Sequence, residues 1–201
     1  MFVLFALWTM AVCFLDVKPI GPNETKVGLA GINLAFHNLT GVHMFLYTLT
    51  DWMGLIPVAF VLGFGTLGLV QWIKRKKLTY VDRSLFVLGG FYVITIAIYI
   101  LFEYVVINYR PILIDGYLEV SYPSSTTMLA LCVMPTAMLQ FYQRIHCGVL
   151  RWCVLTVIAA FTLFMVIGRL VSGVHWITDI VGGVLISASL VSLYHAVCKM
   201  R

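Results

Sequence analysis

The chain has 201 residues, of which 62% are hydrophobic and only 10% are charged. A soluble domain is excluded, because its exterior needs more charged and polar side chains than this composition provides. The formal net charge of +5 does not indicate a nucleic-acid partner, since the basic residues lie in short loops between apolar runs. We expect one integral membrane domain over residues 1–201, with the lipid bilayer as its solvent and no separate soluble module.

Six apolar runs follow one another along the chain, and each is predicted to form a helix. Helices are required because lipid offers no partner to an unpaired backbone amide, and the runs lack the alternation typical of a membrane barrel. The first run has no basic residues before it and no small-residue cleavage site after it, so it is predicted to be a retained span. The fold class is therefore all-α, a bundle of six transmembrane helices at residues 2–15, 52–73, 85–107, 125–142, 152–167 and 177–197.

Basic residues are divided unevenly between the two ends of these spans. With a cytoplasmic N-terminus, nine of them fall on the cytoplasmic side: Lys74, Arg75, Lys76, Lys77, Arg83, Arg144, Arg151, Lys199 and Arg201. Four fall on the other side: Lys18, Lys26, Arg110 and Arg169. Positive charge is retained in the cytoplasm, so we expect a multi-pass protein of the cell membrane with both termini cytoplasmic.

The stretch between the first two spans, residues 22–50, is less hydrophobic than the runs around it. Asn33, His37, Asn38 and His43 alternate there with apolar side chains, which predicts one or more helices lying in the outer interface of the membrane. The pattern leaves open whether this segment borders a lipid-facing site or merely connects two spans.

Four ionisable residues stand at the sparsely charged outer face, where charge is costly and usually pairs or serves a ligand. His175 and Asp179 are four residues apart and therefore share one face of a helix. A carboxylate on one imidazole nitrogen leaves the other free as a nucleophile or base. Arg169 lies across a turn that contains Gly173, and Arg110 adds a second guanidinium, a group suited to phosphate. The four residues alone are equally compatible with a structural ion pair that closes the bundle.

The start of the fourth predicted helix carries a run of hydroxyl side chains. Ser124, Ser125 and Thr126 follow Pro123, and hydroxyls together with free amides at a helix N-terminus form a natural cradle for an anion. Ordinary helix capping would explain the same residues, and the two roles are compatible.

These residues fall in an order that resembles the type 2 phosphatidic acid phosphatase family. Arg169, five residues, His175, three residues and Asp179 match its third motif. Pro123-Ser124-Ser125 resembles the start of the second motif, Pro-Ser-Gly-His, and Arg110-Pro111 the end of the first, Lys, six residues, Arg-Pro. The motifs lie within residues 103–179, each is predicted at the outer face, and the resemblance covers roughly residues 85–197. Three motifs in order are far more specific than any one.

The resemblance implies a membrane lipid phosphatase or phosphotransferase without metal or other cofactor. His175 would attack phosphorus and carry a transient phosphohistidine, oriented by Asp179. Arg110 and Arg169, with the cradle at Ser124, Ser125 and Thr126, would hold the phosphoryl oxygens of a phosphorylated lipid and neutralise the charge of the transition state.

Two positions depart from the family pattern. Glu103 stands where the family has a phosphate-binding lysine, and Thr126 where it has the histidine that protonates the leaving oxygen. Threonine cannot donate that proton at neutral pH, which favours a lipid diphosphate, such as a polyprenyl diphosphate, whose leaving group needs little protonation. The alternative is a weakly catalytic or non-catalytic member that binds or transports anionic lipids. Whether a replacement proton donor exists separates the two, and the candidates are Asp115, Glu119 and Tyr122.

Overall fold

The computed structural model describes residues 1–199, and this part of the chain folds into eight α-helices. Two short strands, β1 (Lys18–Pro19) and β2 (Lys26–Val27), pair antiparallel after the first helix. The helices are α1 (Phe2–Phe14), α2 (Ala30–Thr40), α3 (Met44–Met53), α4 (Leu55–Arg75), α5 (Arg83–Tyr104), α6 (Ser125–Arg144), α7 (Gly148–Val171) and α8 (Ile177–Lys199).

Four stretches of helix in the described residues are long and apolar enough to cross a membrane. They are Met44–Arg75, Arg83–Tyr104, Gly148–Val171 and Ile177–Lys199. The prediction of an all-helical, multi-pass membrane protein is therefore confirmed, whereas the count of six spans is not. The helix α1 has 13 residues and is only about 20 Å long, short of the roughly 30 Å of a bilayer core. The helix α6, with 20 residues, is not among the four.

The helix α6 lies at the centre of the bundle, which explains its more polar sequence. It packs chiefly against α7 and α8, and its polar side chains find partners on neighbouring helices. The hydroxyl groups of Thr136 and Tyr92 lie 3.2 Å apart, and the Gln140 amide donates to the Tyr194 hydroxyl over 3.0 Å. A helix surrounded by protein does not need to be apolar on every side, since neighbouring helices can supply hydrogen-bond partners to its polar side chains.

The apolar core lies around α6, and the exposed apolar residues lie on the outer helices. Leu88, Cys132, Val133, Met134 and Ala137 are almost completely inaccessible. In contrast, Leu62, Ile73, Val93 and Val157 are well exposed. Exposed apolar surface of this extent is expected where lipid replaces water as the solvent.

The predicted boundary between an outer segment and a span that starts near residue 52 is not confirmed. The helix already begins at Met44, and α3 passes into α4 through Gly54, whose backbone dihedrals are helical. The remainder of the segment packs on the bundle through α2. There the buried amide of Asn33 donates to the Gly28 carbonyl and the Thr178 hydroxyl, while its oxygen accepts from the Thr178 N–H.

In the loop between α4 and α5, predicted to be a basic cytoplasmic loop, one carboxylate is bound by several neighbouring side chains. The Asp82 carboxylate accepts from Gln71 over 2.8 Å and from Arg75 over 3.0 Å, and it lies 3.4 Å from Arg144. These hydrogen bonds, first that of Gln71, hold the pKa of Asp82 below its usual range. Arg201, the last residue assigned to that side, lies outside the described residues.

Candidate active site

His175 and Asp179 lie at the N-terminus of α8, both inaccessible to solvent. The Asp179 carboxylate accepts from the Asn108 side chain over 3.1 Å and from the Trp176 backbone N–H over 3.0 Å. The second contact caps α8, because Asp179 bonds back to the residue that precedes the helix. The Nδ1 of His175 lies 3.9 Å from Oδ2 of Asp179, so the two side chains are a close pair without a direct hydrogen bond.

Arg110 comes to this pair from the loop between α5 and α6. The loop doubles back on itself, with Tyr109 opposite Val120 in an antiparallel bridge. The guanidinium of Arg110 donates from Nη1 to Nε2 of His175 over 3.4 Å. This bond needs a lone pair on Nε2, so it places the ring proton on Nδ1, which faces Asp179. The Nε of Arg110 also lies 2.9 Å from the Glu119 carboxylate.

Arg169 enters from the last turn of α7, and its side chain is only 1% exposed. Its hydrogen bonds all go to α3: Nη1 donates to the Tyr47 carbonyl and the Thr50 hydroxyl, and Nη2 to Asp51, each over 3.2 Å. The chain turns back to His175 through Gly173, whose φ is +70°, a conformation that glycine adopts without strain. A side chain there would also collide with the backbone of Gly41.

The hydroxyl residues at the start of α6 are divided between two sides of the helix. Ser124 is completely buried toward α8, and its N–H donates to the Asp179 carbonyl over 3.1 Å. Ser125 and Thr126 instead line a cavity of about 260 Å³ that α6 shares with α5, beside Thr95 and Tyr99. Ser124 thus contacts the histidine end of α8, whereas Ser125 and Thr126 line the cavity beside α5.

Glu103 lies on the same side as Thr126. It is exposed at the end of α5 and lines a small cavity with Tyr99, Tyr122 and Ser125. The ion-pair partners of Arg110 and Arg169 in the described residues are Glu119 and Asp51, not Glu103. Both departures from the family pattern therefore occur at the interface of α5 and α6.

The electrostatics of the site favour a neutral imidazole at His175. Burial lowers the pKa of His175 well below its ordinary value, and the positive charges of Arg110 and Arg169 lower the pKa further. A depressed pKa means that the imidazole stays unprotonated, and its nitrogen lone pair available, at pH values where an exposed histidine would take up a proton.

Several buried polar atoms around this centre have no hydrogen-bond partner in the described residues. They are Nε of Arg169, Oγ of Ser124 and Nδ1 of His175. An unpaired buried polar group costs free energy, so a group of them is expected where a polar ligand supplies the missing partners. His175 is 3% exposed and Arg110 7%, so the site is closed in this conformation. A larger cavity of about 570 Å³ lies between α4 and α5 and contains none of these residues.

The family model of the PAP2 superfamily matches residues 58–201. The chain belongs to the PAP2 superfamily. The match contains all three motifs that resemble the type 2 phosphatidic acid phosphatases, so that interpretation of the sequence is confirmed.

A solved structure described as the first transmembrane PAP2 type phosphatidylglycerolphosphate phosphatase from Bacillus subtilis has a similar fold. The TM-score is 0.61, the sequence identity is 19%, and the alignment covers 100% of this chain and 96% of that one. No curated protein sequence matches the chain. The likeness extends the PAP2 fold to the whole chain, including the helices before residue 58.

Sequence reasoning missed the part of the candidate site that α3 provides. Tyr47, Thr50 and Asp51 lie at positions i, i+3 and i+4 and so share one helix face, which was visible in the sequence. Nothing in the sequence indicated that this face meets Arg169, because the two are more than 110 residues apart. Asn108, which holds Asp179, was missed for the same reason.

The three candidates for a replacement proton donor are now separated by position. The Tyr122 hydroxyl lies 2.7 Å from that of Thr9 on α1, and burial raises the pKa of Tyr122. Asp115 is exposed in the turn between Ile114 and Tyr117. Glu119 is the candidate whose carboxylate contacts a motif residue, since it lies beside Arg110.

Proposed function

We propose that the protein is a membrane phosphatase or phosphotransferase that acts on a lipid phosphate, with His175 as the nucleophile. The observation that carries the proposal is the 3.4 Å contact between Nε2 of His175 and the Arg110 guanidinium. A phosphoryl group bound to that guanidinium would lie beside the nitrogen that attacks it, which is the proximity that catalysis requires. Membership of the PAP2 superfamily supports a membrane lipid phosphatase at the general level.

The proposed reaction proceeds in two steps. First, the lone pair of Nε2 forms a bond to phosphorus, and the bond from phosphorus to the leaving oxygen breaks with its electron pair going to that oxygen. Asp179 then faces an imidazole ring that has become positive, and the two arginines face the equatorial oxygens. Second, water, or another hydroxyl in a transfer reaction, attacks phosphorus. The N–P bond breaks, the imidazole recovers its lone pair on Nε2, and the proton of the attacking oxygen passes to solvent.

The leaving group decides which lipid suits this site. The leaving group of a monophosphate ester is an alkoxide, a strong base that needs a proton as it departs. The leaving group of a lipid diphosphate is the lipid monophosphate, a far weaker base that does not. Thr126 lines a cavity between α5 and α6, and threonine is a poor acid. We therefore propose a lipid diphosphate, such as a polyprenyl diphosphate, as the preferred substrate.

We also propose that the reaction needs no metal ion and takes place at the extracytoplasmic face. The arginines perform the charge neutralisation that a cation would otherwise supply. Among the described residues, no group of three or more His, Cys, Asp or Glu side chains could hold a metal ion. Activity should survive a strong chelator and be inhibited by vanadate, which mimics pentacovalent phosphorus. Loss of activity on chelation, restored by a divalent ion, contradicts the metal-independent mechanism.

The decisive experiment measures phosphate release by the purified protein from matched lipid monophosphates and diphosphates. We expect turnover in wild type and none in His175→Ala. His195→Ala is the matched control, because His195 is exposed on the distal part of the same helix. Turnover that survives His175→Ala contradicts the assignment of the nucleophile.

A second function is favoured by threonine, a poor acid, at position 126 and by the closed site. A protein that retains the phosphate cradle but lacks the proton donor would bind or transport anionic lipids without cleaving them. This function takes precedence if no substrate of the panel is turned over while vanadate or inorganic phosphate still binds in an Arg169-dependent manner.

A further inference from the structure

The partners of Arg169 come from one face of α3. The Tyr47 carbonyl, the Thr50 hydroxyl and the Asp51 carboxylate each accept a hydrogen bond from it over 3.2 Å. A guanidinium buried this deeply needs a counter-charge and satisfied donors, because an unpaired buried charge is strongly destabilising. The helix α3 therefore determines where the charge of Arg169 lies.

The aromatic ring of Tyr47 contacts both arginines of the candidate site. Its centroid lies 4.7 Å from the guanidinium carbon of Arg169 and 5.6 Å from that of Arg110. Two guanidinium groups repel each other, and the negative face of an aromatic ring offsets part of that repulsion. The Tyr47 hydroxyl makes no hydrogen bond to another described residue, so these contacts depend on the ring rather than on the hydroxyl.

Arg169 keeps donors free after these contacts are made. A guanidinium has five N–H groups, and the hydrogen bonds to α3 use at most three of them. The Nε, which is buried and unpartnered, is one of the groups left over, and one N–H of Nη2 is another. Two parallel N–H groups on one edge of a guanidinium match two oxygens of a phosphoryl group. The contacts with α3 thus fix the guanidinium while leaving a fork for the ligand.

We propose that Tyr47 is a positioning residue of the phosphate site, holding Arg110 and Arg169 at the spacing at which both bind one phosphoryl group. The proposal rests on the proposed function and assigns a role to a helix, Met44–Met53, that precedes the residues 58–201 matched by the PAP2 model. Pre-arranged cations stabilise the transition state more than the ground state, since they need no reorganisation as charge develops.

The test uses the purified full chain and vanadate as the probe. Binding is measured by calorimetry, and inhibition of phosphate release by vanadate is measured in parallel. Tyr47→Leu removes the ring, and we expect roughly 10- to 100-fold weaker vanadate binding from the loss of two cation–π contacts. Tyr47→Phe keeps the ring and should restore affinity to within about twofold of wild type. Phe45→Leu is the matched control on α3, because Phe45 is 77% exposed.

A change of affinity at full binding stoichiometry distinguishes positioning from loss of folded protein, because irreversibly unfolded protein lowers the stoichiometry and the rate without changing the binding constant. If Tyr47→Leu does not fold, phenylalanine with an increasingly fluorinated ring at position 47 keeps the shape and weakens the negative face. Affinity for vanadate should then fall stepwise with fluorination.

The outcomes separate this proposal from the proposed function. Turnover in wild type with unchanged vanadate affinity in Tyr47→Leu, or along the fluorinated series, overturns the role of Tyr47 alone. An equal loss of vanadate affinity in Tyr47→Phe and Tyr47→Leu also overturns the proposed role of the ring, because the hydroxyl would then account for the binding. Tyr47-dependent vanadate binding without turnover supports the positioning role and contradicts the enzyme. Absence of vanadate binding in wild type overturns both.

Discussion

Replacement of Asp179 by asparagine separates two roles that the structure gives to one carboxylate. Asp179 caps α8 through the Trp176 N–H and also lies 3.9 Å from Nδ1 of His175. Asparagine is nearly isosteric and keeps one oxygen for the Trp176 N–H. Its amide can donate to Asn108 once that side chain turns over. The cap therefore survives Asp179→Asn, whereas the negative charge beside the imidazole is lost.

The catalytic effect follows from the distance between the two groups. In the proposed reaction the ring of His175 becomes positive as it attacks phosphorus, and a charge about 4 Å away contributes about 4 kcal/mol at an effective dielectric constant of about 20. Since about 1.4 kcal/mol corresponds to a factor of ten in rate, Asp179→Asn should slow turnover about 1,000-fold. Hydrogen bonds to a charged group exceed neutral ones by about 1–1.5 kcal/mol each. The substitution should therefore cost at most about 2–3 kcal/mol of unfolding free energy.

Asp179→Ala provides the comparison, because it leaves two buried donors, on Asn108 and Trp176, without acceptors. Each unsatisfied donor costs about 1–3 kcal/mol, so this variant should be the less stable of the two. The assay is phosphate release from a lipid diphosphate, with thermal unfolding followed in the same detergent. Asp115→Asn is the control for the exchange of a carboxylate for an amide, because Asp115 lies in an exposed turn. If Asp179→Asn turns over at the wild-type rate while its unfolding temperature falls, Asp179 is only a helix cap and the reasoning is refuted.

Three further outcomes are expected. Wild type should cleave a diphosphate roughly 100- to 10,000-fold faster than the matching monophosphate, which is the usual contribution of a general acid. Thr126→His should reduce this ratio of rates. Equal rates on the two substrates in wild type, with a ratio that Thr126→His leaves unchanged, would contradict the inference that the site lacks a proton donor. The pKa of His175 is depressed, so its neutral form persists as pH falls. The acidic limb of kcat/KM, which reports the free protein, should therefore lie below the ordinary histidine pKa of 6.5. A limb at or above 6.5 would contradict a buried nucleophile. Reporter tags after Lys77 and at Arg201 should be cytoplasmic and one near Asp115 external, and a cytoplasmic signal at Asp115 would reverse the assigned face.

Much of the molecule could be predicted from local sequence. Apolar runs locate helices because lipid forces each span to satisfy its own backbone, and four stretches of helix in the described residues meet the criteria for a span. The spacing of His175 and Asp179 predicted that they lie close together, and they do, although His175 lies two residues before α8 rather than on it. The count of six spans is not confirmed, since α1 is short and α6 carries polar groups that are satisfied inside the bundle.

The contacts across the site depended on the tertiary structure. The resemblance of Thr126 to a catalytic position is a statement about order along the chain. That Thr126 lines a cavity beside α5 depends on how α6 is rotated in the bundle. The partners of Arg169 are likewise beyond local sequence, because α3 and α7 are distant along the chain and meet only through packing. Local periodicity determines which residues share a helix face, whereas helix packing determines which faces meet.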